Sequence, residues 1–267
     1  MLKIISQNRP WDLKDLSIRI LIFIAIITLW EGIVVLFGVS ERIFPAPSSV
    51  WTILLANLTN GTFLNHFYIT FIQSLIGFII GSLAGVILAV FVSEFSLIRK
   101  LIYPYILGLQ AVPIVALAPL FIIWFGFGMS SKIALTVTIV FFPVLINTVT
   151  GLENTNQSQV KLLKVYSASA WQIFRRVKLP NALPYIFAGL EIAIVLSVVG
   201  AVISEFVGSE AGLGYLIIIY NNQLNMAAQF AVLIVLGVLG ILLSFMIKWL
   251  SKKMIFWQQP IQNTKGL

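Results

Sequence analysis

The sequence predicts an all-α integral membrane protein with six transmembrane helices and a long basic loop between spans 4 and 5. Three observations carry that prediction. Of 267 residues, 60% are hydrophobic and only 10% charged, with a mean hydropathy of +1.03, whereas a soluble domain of this length carries far more charge on its surface. Several apolar runs exceed the roughly 18 residues that mark a membrane-spanning helix. The Lys and Arg residues gather in alternate connections, which is how a multi-pass chain is oriented in a bilayer. Residues 1–267 read as one membrane domain.

The first span covers residues 16–39, after a polar segment of mixed charge. Its apolar core is too long for a signal peptide and no small-residue cleavage site follows, so it reads as a retained span. Residues 40–66 form a polar connection in which Pro45 and Pro47 impose extended backbone, and Pro47-Ser48-Ser49 starts a short surface helix. His66 stands where the second span begins and reads as an interfacial side chain rather than a ligand. Span 2, residues 67–93, carries Gly77, Gly81, Gly85 and Ala89 at strict four-residue spacing, a stripe that lets another helix backbone come close. Span 3, residues 101–127, contains Pro104, Pro113 and Pro119. Each removes a donor and crowds the preceding turn, so this helix is kinked or broken, and broken helices point to a transport path.

Span 4, residues 133–150, holds Pro143 and the polar Asn147-Thr148 pair; span 5, residues 185–207, holds Glu191, Ser197, Ser204 and Glu205. An ionisable group within a span faces a cavity or a partner rather than lipid; for Glu205 a structural role and a contact with solute both stand. Pro113, Pro119, Pro143, Asn147, Ser204 and Glu205 are the candidate pathway residues. Gly212 and Gly214 suit a tight turn or re-entrant backbone, and span 6 covers residues 226–250. With both termini cytoplasmic, every Lys and Arg except Arg42 and Lys132 falls on the inner side. That asymmetry explains the net charge of +8 without nucleic acid.

The loop at about residues 155–184 has its own pattern. Lys161, Lys164, Arg175, Arg176 and Lys178 are its charges within 160–189, before Glu191. Ser169 and Gln172 form the signature of a capping box, and a short helix is expected to run to about Lys178, where Leu179-Pro180 ends it. Trp171, Phe174 and Val177 then share one face. Such a face either lies on lipid or docks on another protein.

Val177-x-Leu179-Pro180, ten residues past a small residue at Ser167 and followed by Pro184 and Gly189, resembles the EAA loop of ABC-importer permeases. Three further segments resemble the nitrate, sulfonate and taurine type of that family: Phe44-Pro-Ala-Pro-Ser-Ser-Val-Trp51, the run from Val112 to Gly126, and Gly208 to Ile217. The resemblance implies a cytoplasmic coupling helix seated in a cleft of a separate ATPase subunit, carried here by Lys161, Ser167, Ala168, Trp171, Phe174, Val177, Leu179 and Pro180. Lys161 stands at the family's Glu and Ser167 at its Gly, so one charged contact has the opposite sign. The resemblance also implies two permease copies around one pathway, an extracytoplasmic solute-binding protein, and residence in the cell membrane of a prokaryote. Its solutes would be sulfonates, taurine, nitrate, or vitamin-related compounds such as thiamine-precursor pyrimidines and riboflavin.

Other functions fare less well on the residues. The chain has no cysteine and one histidine, which leaves no multi-His metal site and no nucleophile–base pair for an intramembrane enzyme. No GxxxxGK[ST] loop is present, so no cofactor is expected on this chain and ATP belongs to partner subunits. An ion-coupled secondary transporter is the alternative, but it needs ionisable groups near mid-membrane and leaves the basic loop unexplained.

Overall fold

Residues 13–257 are described by a computed structural model; the tail charges Lys3, Arg9 and Lys265 used above lie outside the described residues. In chain order the helices are α1 (Leu13–Leu36), α2 (Pro47–Thr59), α3 (Thr62–Glu94), α4 (Ser96–Leu101), α5 (Tyr103–Gln110), α6 (Ala118–Phe125), α7 (Met129–Glu153), α8 (Gln157–Val165), α9 (Ala170–Ile173), α10 (Leu179–Gly208), α11 (Leu213–Asn222) and α12 (Met226–Met254). A 3-10 turn at Ile114–Leu117 precedes α6 and a π turn at Phe174–Lys178 precedes α10.

The centre is a three-helix contact built on small residues. A Cβ on Gly77 would lie 2.4 Å from Thr136, one on Gly81 2.8 Å from the Val137 carbonyl, and one on Gly85 2.9 Å from that of Phe141. The α3 stripe therefore meets α7 backbone to backbone, and because both numbers rise together the two helices run parallel. Gly189 sits against the Pro143 carbonyl and Asn147, and Gly200 against Thr136, so α10 packs antiparallel on another side of α7. Val140, Val144, Leu145, Ile194 and Ala201 are fully enclosed there.

Ion pairs mark one end of this bundle. Arg99 meets Glu153 at 3.0 Å and Lys178 meets Glu94 at 2.7 Å, so the C-terminal ends of α3 and α7 lie together with the start of α10. The segment joining two parallel helices must return over the whole length of the bundle. That segment holds α5 and α6, which meet at an angle of 92° across the break at Ala111–Pro113. It is thus one broken crossing. With α1, α3, α7, α10 and α12, each long and apolar enough to span, the described chain crosses six times. The kinked or broken third span expected from its prolines is this pair.

α2 begins with Pro47 in its first turn after the extended Ala46, where a missing N–H leaves nothing unpaired. It buries Val50 and Leu54, four apart on one face. α1 stays at the rim, held by its Glu31, which accepts from the Ser48 N–H at 3.0 Å and hydroxyl at 2.7 Å, and by the ring cluster Trp30, Phe44 and Phe230.

Gly81→Ala places a methyl where a carbonyl already stands, and overpacking of this kind costs about 1–3 kcal/mol. Its thermal midpoint in detergent is expected to fall below that of Gly108→Ala, whose Cβ would meet nothing within 4 Å. Equal midpoints would show that the α3–α7 contact yields without cost.

Candidate functional site: a basic hairpin and a closed turn

α8 starts under Asn156, whose side chain accepts from the Ser158 N–H at 2.9 Å. It ends in a reversal in which the Ser167 N–H bonds the Lys164 carbonyl at 2.9 Å and the Ala168 N–H bonds that of Leu163 at 3.0 Å. These are the two bonds of a Schellman cap, with Ser167 at the left-handed position (φ 55). The capping box follows as expected: the Gln172 N–H donates to Ser169 Oγ at 3.3 Å and the Ser169 N–H to Gln172 Oε1 at 2.8 Å.

Leu179-Pro180 does not end this helix, contrary to the sequence expectation. Pro180 has no N–H for the carbonyl four residues back, and its ring crowds that carbonyl. The π turn takes up the misfit by adding one residue, so that the Leu179 N–H bonds Phe174, and the chain continues into α10. Ala170–Gly208 is one helix of 39 residues.

The extra residue also alters the expected common face of Trp171, Phe174 and Val177. Phe174 turns toward the bundle, against the cluster of Leu152, Ala182 and Ile186. Trp171 stacks on its ring at 5.7 Å and remains 65% exposed. Lys161 and Ser167 are exposed, while Ala168, Val177, Leu179 and Pro180 are half-buried. Three residues passed over in the sequence join Trp171 on the surface: Leu162, Val165 and Tyr166. Their spacing on α8 was the available signal. A groove of about 520 Å³ lies behind them, between Leu162 and Leu163 of α8, Val177, Pro180 and Asn181, and Trp257 beyond α12.

At the opposite end, α11 and the turn before it fold over Glu205, which is 1% exposed. One carboxylate oxygen accepts from Thr70 at 2.8 Å and the other from the Gly214 N–H at 2.7 Å. The Leu213 N–H donates to Thr70 at 2.8 Å, and the Gly212 N–H to His66 Nδ1 at 2.9 Å. Gly212 has φ 118, and a Cβ there would lie 2.2 Å from the carboxylate; a Cβ on Gly214 would lie 2.8 Å from the Val202 carbonyl. Both glycines are required by space. Gln73 donates to Ser204, and Lys132 to Ser209, which in turn donates to the Ala211 carbonyl.

The candidate pathway residues fall in three places. Pro113 and Pro119 flank the bend between α5 and α6. Pro143 and Asn147 lie where α7 meets α10, with Asn147 donating to the Pro143 carbonyl at 2.8 Å. Ser204 and Glu205 belong to the closed turn, where the chain's own donors hold both carboxylate oxygens.

The sequence model of a family described as binding-protein-dependent transport system inner membrane component matches residues 77–256. A probable ABC transporter permease protein of Haemophilus influenzae is 36% identical over 89% of this chain and 96% of its own length. A formylaminopyrimidine transport permease protein of Halalkalibacterium halodurans is 31% identical over 90% and 95%. Among solved structures, an inward-facing MetNI methionine ABC transporter superposes with a TM-score of 0.58 at 20% identity, over 72% of this chain and 94% of that one.

Replacing Ser167 by Gly relieves a left-handed conformation that costs a side-chain-bearing residue about 1 kcal/mol, and is expected to raise the thermal midpoint. Glu205→Ala leaves the buried Gly214 N–H unpaired, at about 1–3 kcal/mol, while Thr70 keeps the His66 carbonyl as acceptor at 3.2 Å, and is expected to lower it. The same melting curves in detergent check both signs.

Proposed function

Because the chain belongs to the inner-membrane components of binding-protein-dependent transport systems, we propose that it forms one half of the pathway of an ABC importer and meets its ATPase through the basic hairpin. The permease role follows from the family; the hairpin role rests on one observation. Trp171, Leu162, Val165 and Tyr166 are exposed at the end of the bundle where Arg99, Lys178 and the α10 start gather, on a turn fixed by a Schellman cap and a capping box. Large apolar side chains held rigidly outside the spans fit a protein cleft.

In this reading two copies of the chain surround the pathway, two separate ATPase subunits bind the nucleotide, and a binding protein outside the membrane delivers the solute. Closure of the ATPase pair on ATP moves the hairpins, and the bundles follow because α9 continues into α10. The nucleotide drives the switch because the ATPase pair binds it more tightly when closed. The hairpin end faces the cytoplasm, since it and the end of α12 carry the dense Lys and Arg. In this reading, with six crossings, both termini lie on the cytoplasmic side.

For the solute we favour a small neutral or aromatic compound over an anion. Lys132, the cation of α7, is turned to Ser209, and the broken third crossing presents Trp124, Phe125 and Phe127 at its surface. A pyrimidine of the vitamin-precursor kind suits these groups, in keeping with the name of the Halalkalibacterium relative.

Trp171→Ala is expected to lower solute uptake at least roughly tenfold while the protein stays in the membrane, as loss of an aromatic anchor does at an interface. ATP hydrolysis by the co-purified complex should persist without uptake. Unchanged uptake would remove the hairpin from coupling. Lys161→Cys should react with a membrane-impermeant thiol reagent only from the cytoplasmic side and Arg42→Cys only from outside; the reverse would invert the topology.

A further inference from the structure

α11 is docked by its first amides. A helix leaves its opening N–H groups without intrahelical acceptors, and here three in succession are met by side chains of other elements. The Gly212 N–H donates to His66 Nδ1 at 2.9 Å, the Leu213 N–H to Thr70 at 2.8 Å and the Gly214 N–H to Glu205 at 2.7 Å. Thr70 and Glu205 are enclosed, whereas His66 is half-buried, so of the three acceptors it is the one that solvent reaches. Its ring lies stacked on Tyr215, in the first turn of α11, with centroids 6.0 Å apart and planes at 18°.

An imidazole accepts at Nδ1 only while it is neutral, with its hydrogen on Nε2. Protonation puts a hydrogen on each nitrogen, so no rotation of the ring restores an acceptor and the new N–H faces the Gly212 N–H. The cation also stands at the positive end of the α11 dipole. The other charged groups nearby are committed elsewhere: Glu205 of α10 accepts from Thr70 and Gly214, Lys132 of α7 donates to Ser209, and Glu210, in the turn, is exposed. Gly212 is itself pressed on the Glu205 carboxylate, where a Cβ would lie 2.2 Å away. Its amide therefore cannot swing to another acceptor unless the turn moves.

We propose that His66 is a proton-sensitive latch at the end of the bundle remote from the basic hairpin: neutral, it holds the start of α11 against α3, and protonated, it releases it. Histidine suits this task because its ordinary pKa, roughly 6.5, falls where the acidity of natural media varies. The closed turn excludes the proton and the open turn accepts it, so the open fraction rises about tenfold between about pH 7.5 and about pH 5.5. The turn is held fully at the higher pH and loosens as the pH falls. In the topology proposed above this end faces outward, which makes the outer end of α10 answer to the acidity of the medium from which solute is taken.

Amide hydrogen exchange across residues 212–215 of the detergent-solubilised protein, corrected for the intrinsic pH dependence of exchange, reads the open fraction. In the unsubstituted protein, protection there should fall about tenfold from the higher to the lower pH, while α7 stays unchanged. His66→Asn keeps an acceptor at the position of Nδ1 and cannot titrate, so it should hold the higher protection at both pH values. His66→Ala has no acceptor and should show the lower protection at both. If His66→Asn fails to hold the turn, its protection is low but still flat, and the response remains assigned to His66. Glu205 is retained in both variants, so a fall that persists in them belongs to Glu205 and overturns the latch. Protection that the unsubstituted protein keeps at both pH values overturns it as well. Neither readout needs transport or membrane sidedness, so failure of the importer reading would leave the latch standing.

Discussion

Close approach of three helix backbones is the constraint on which this molecule depends. Lipid tails are as apolar as leucine, so within a bilayer packing rather than exclusion from water brings helices together. Glycines on α3 and α10 let carbonyls of α7 come within contact of their neighbours' backbones. Once α3 and α7 are fixed side by side and parallel, the chain between them has to travel back through the membrane. It does so in two short helices with a bend of 92°. The prolines of that segment are therefore accommodated in a crossing whose start and finish are set elsewhere.

The two ends of the bundle solve opposite problems. At the basic end the chain must turn in water and present apolar groups, and the reversal between α8 and α9 is made with local bonds: an Asn cap, a Schellman turn and a capping box. At the other end a charged group is enclosed, and its partners come from far along the sequence. Glu205 takes a hydroxyl from α3 and an amide from α11, so the carboxylate ties three elements into one closed turn. Burying a charge is tolerable when its hydrogen bonds are met in this way.

That contrast also explains what could be read from the residues. Span existence follows from length and hydropathy, the glycine stripe from its spacing, and the capping box from Ser169 and Gln172, because each is a local property. Phe174 could not be placed by periodicity, since the π turn shifts it toward Leu152 and Ala182. The continuation through Pro180 was equally hidden: the rule that proline stops a helix holds for an isolated segment, whereas here Phe174 and Lys178 anchor the turn from outside it. Glu205 was visible as an intramembrane carboxylate, but its partner Thr70 lies 135 residues away, and nothing in the sequence names it.

The unbroken run from Ala170 to Gly208 has a mechanical consequence. A helix of 39 residues is about 58 Å long and can act as a stiff lever. One end carries Trp171 and the other reaches the turn closed over Glu205. Pivoted at the tight contact with α7 near its middle, a tilt of about 10° swings both ends by about 5 Å in opposite directions. A single tilt of that lever would therefore narrow one mouth of the bundle while widening the other, with no relay of separate rearrangements between them.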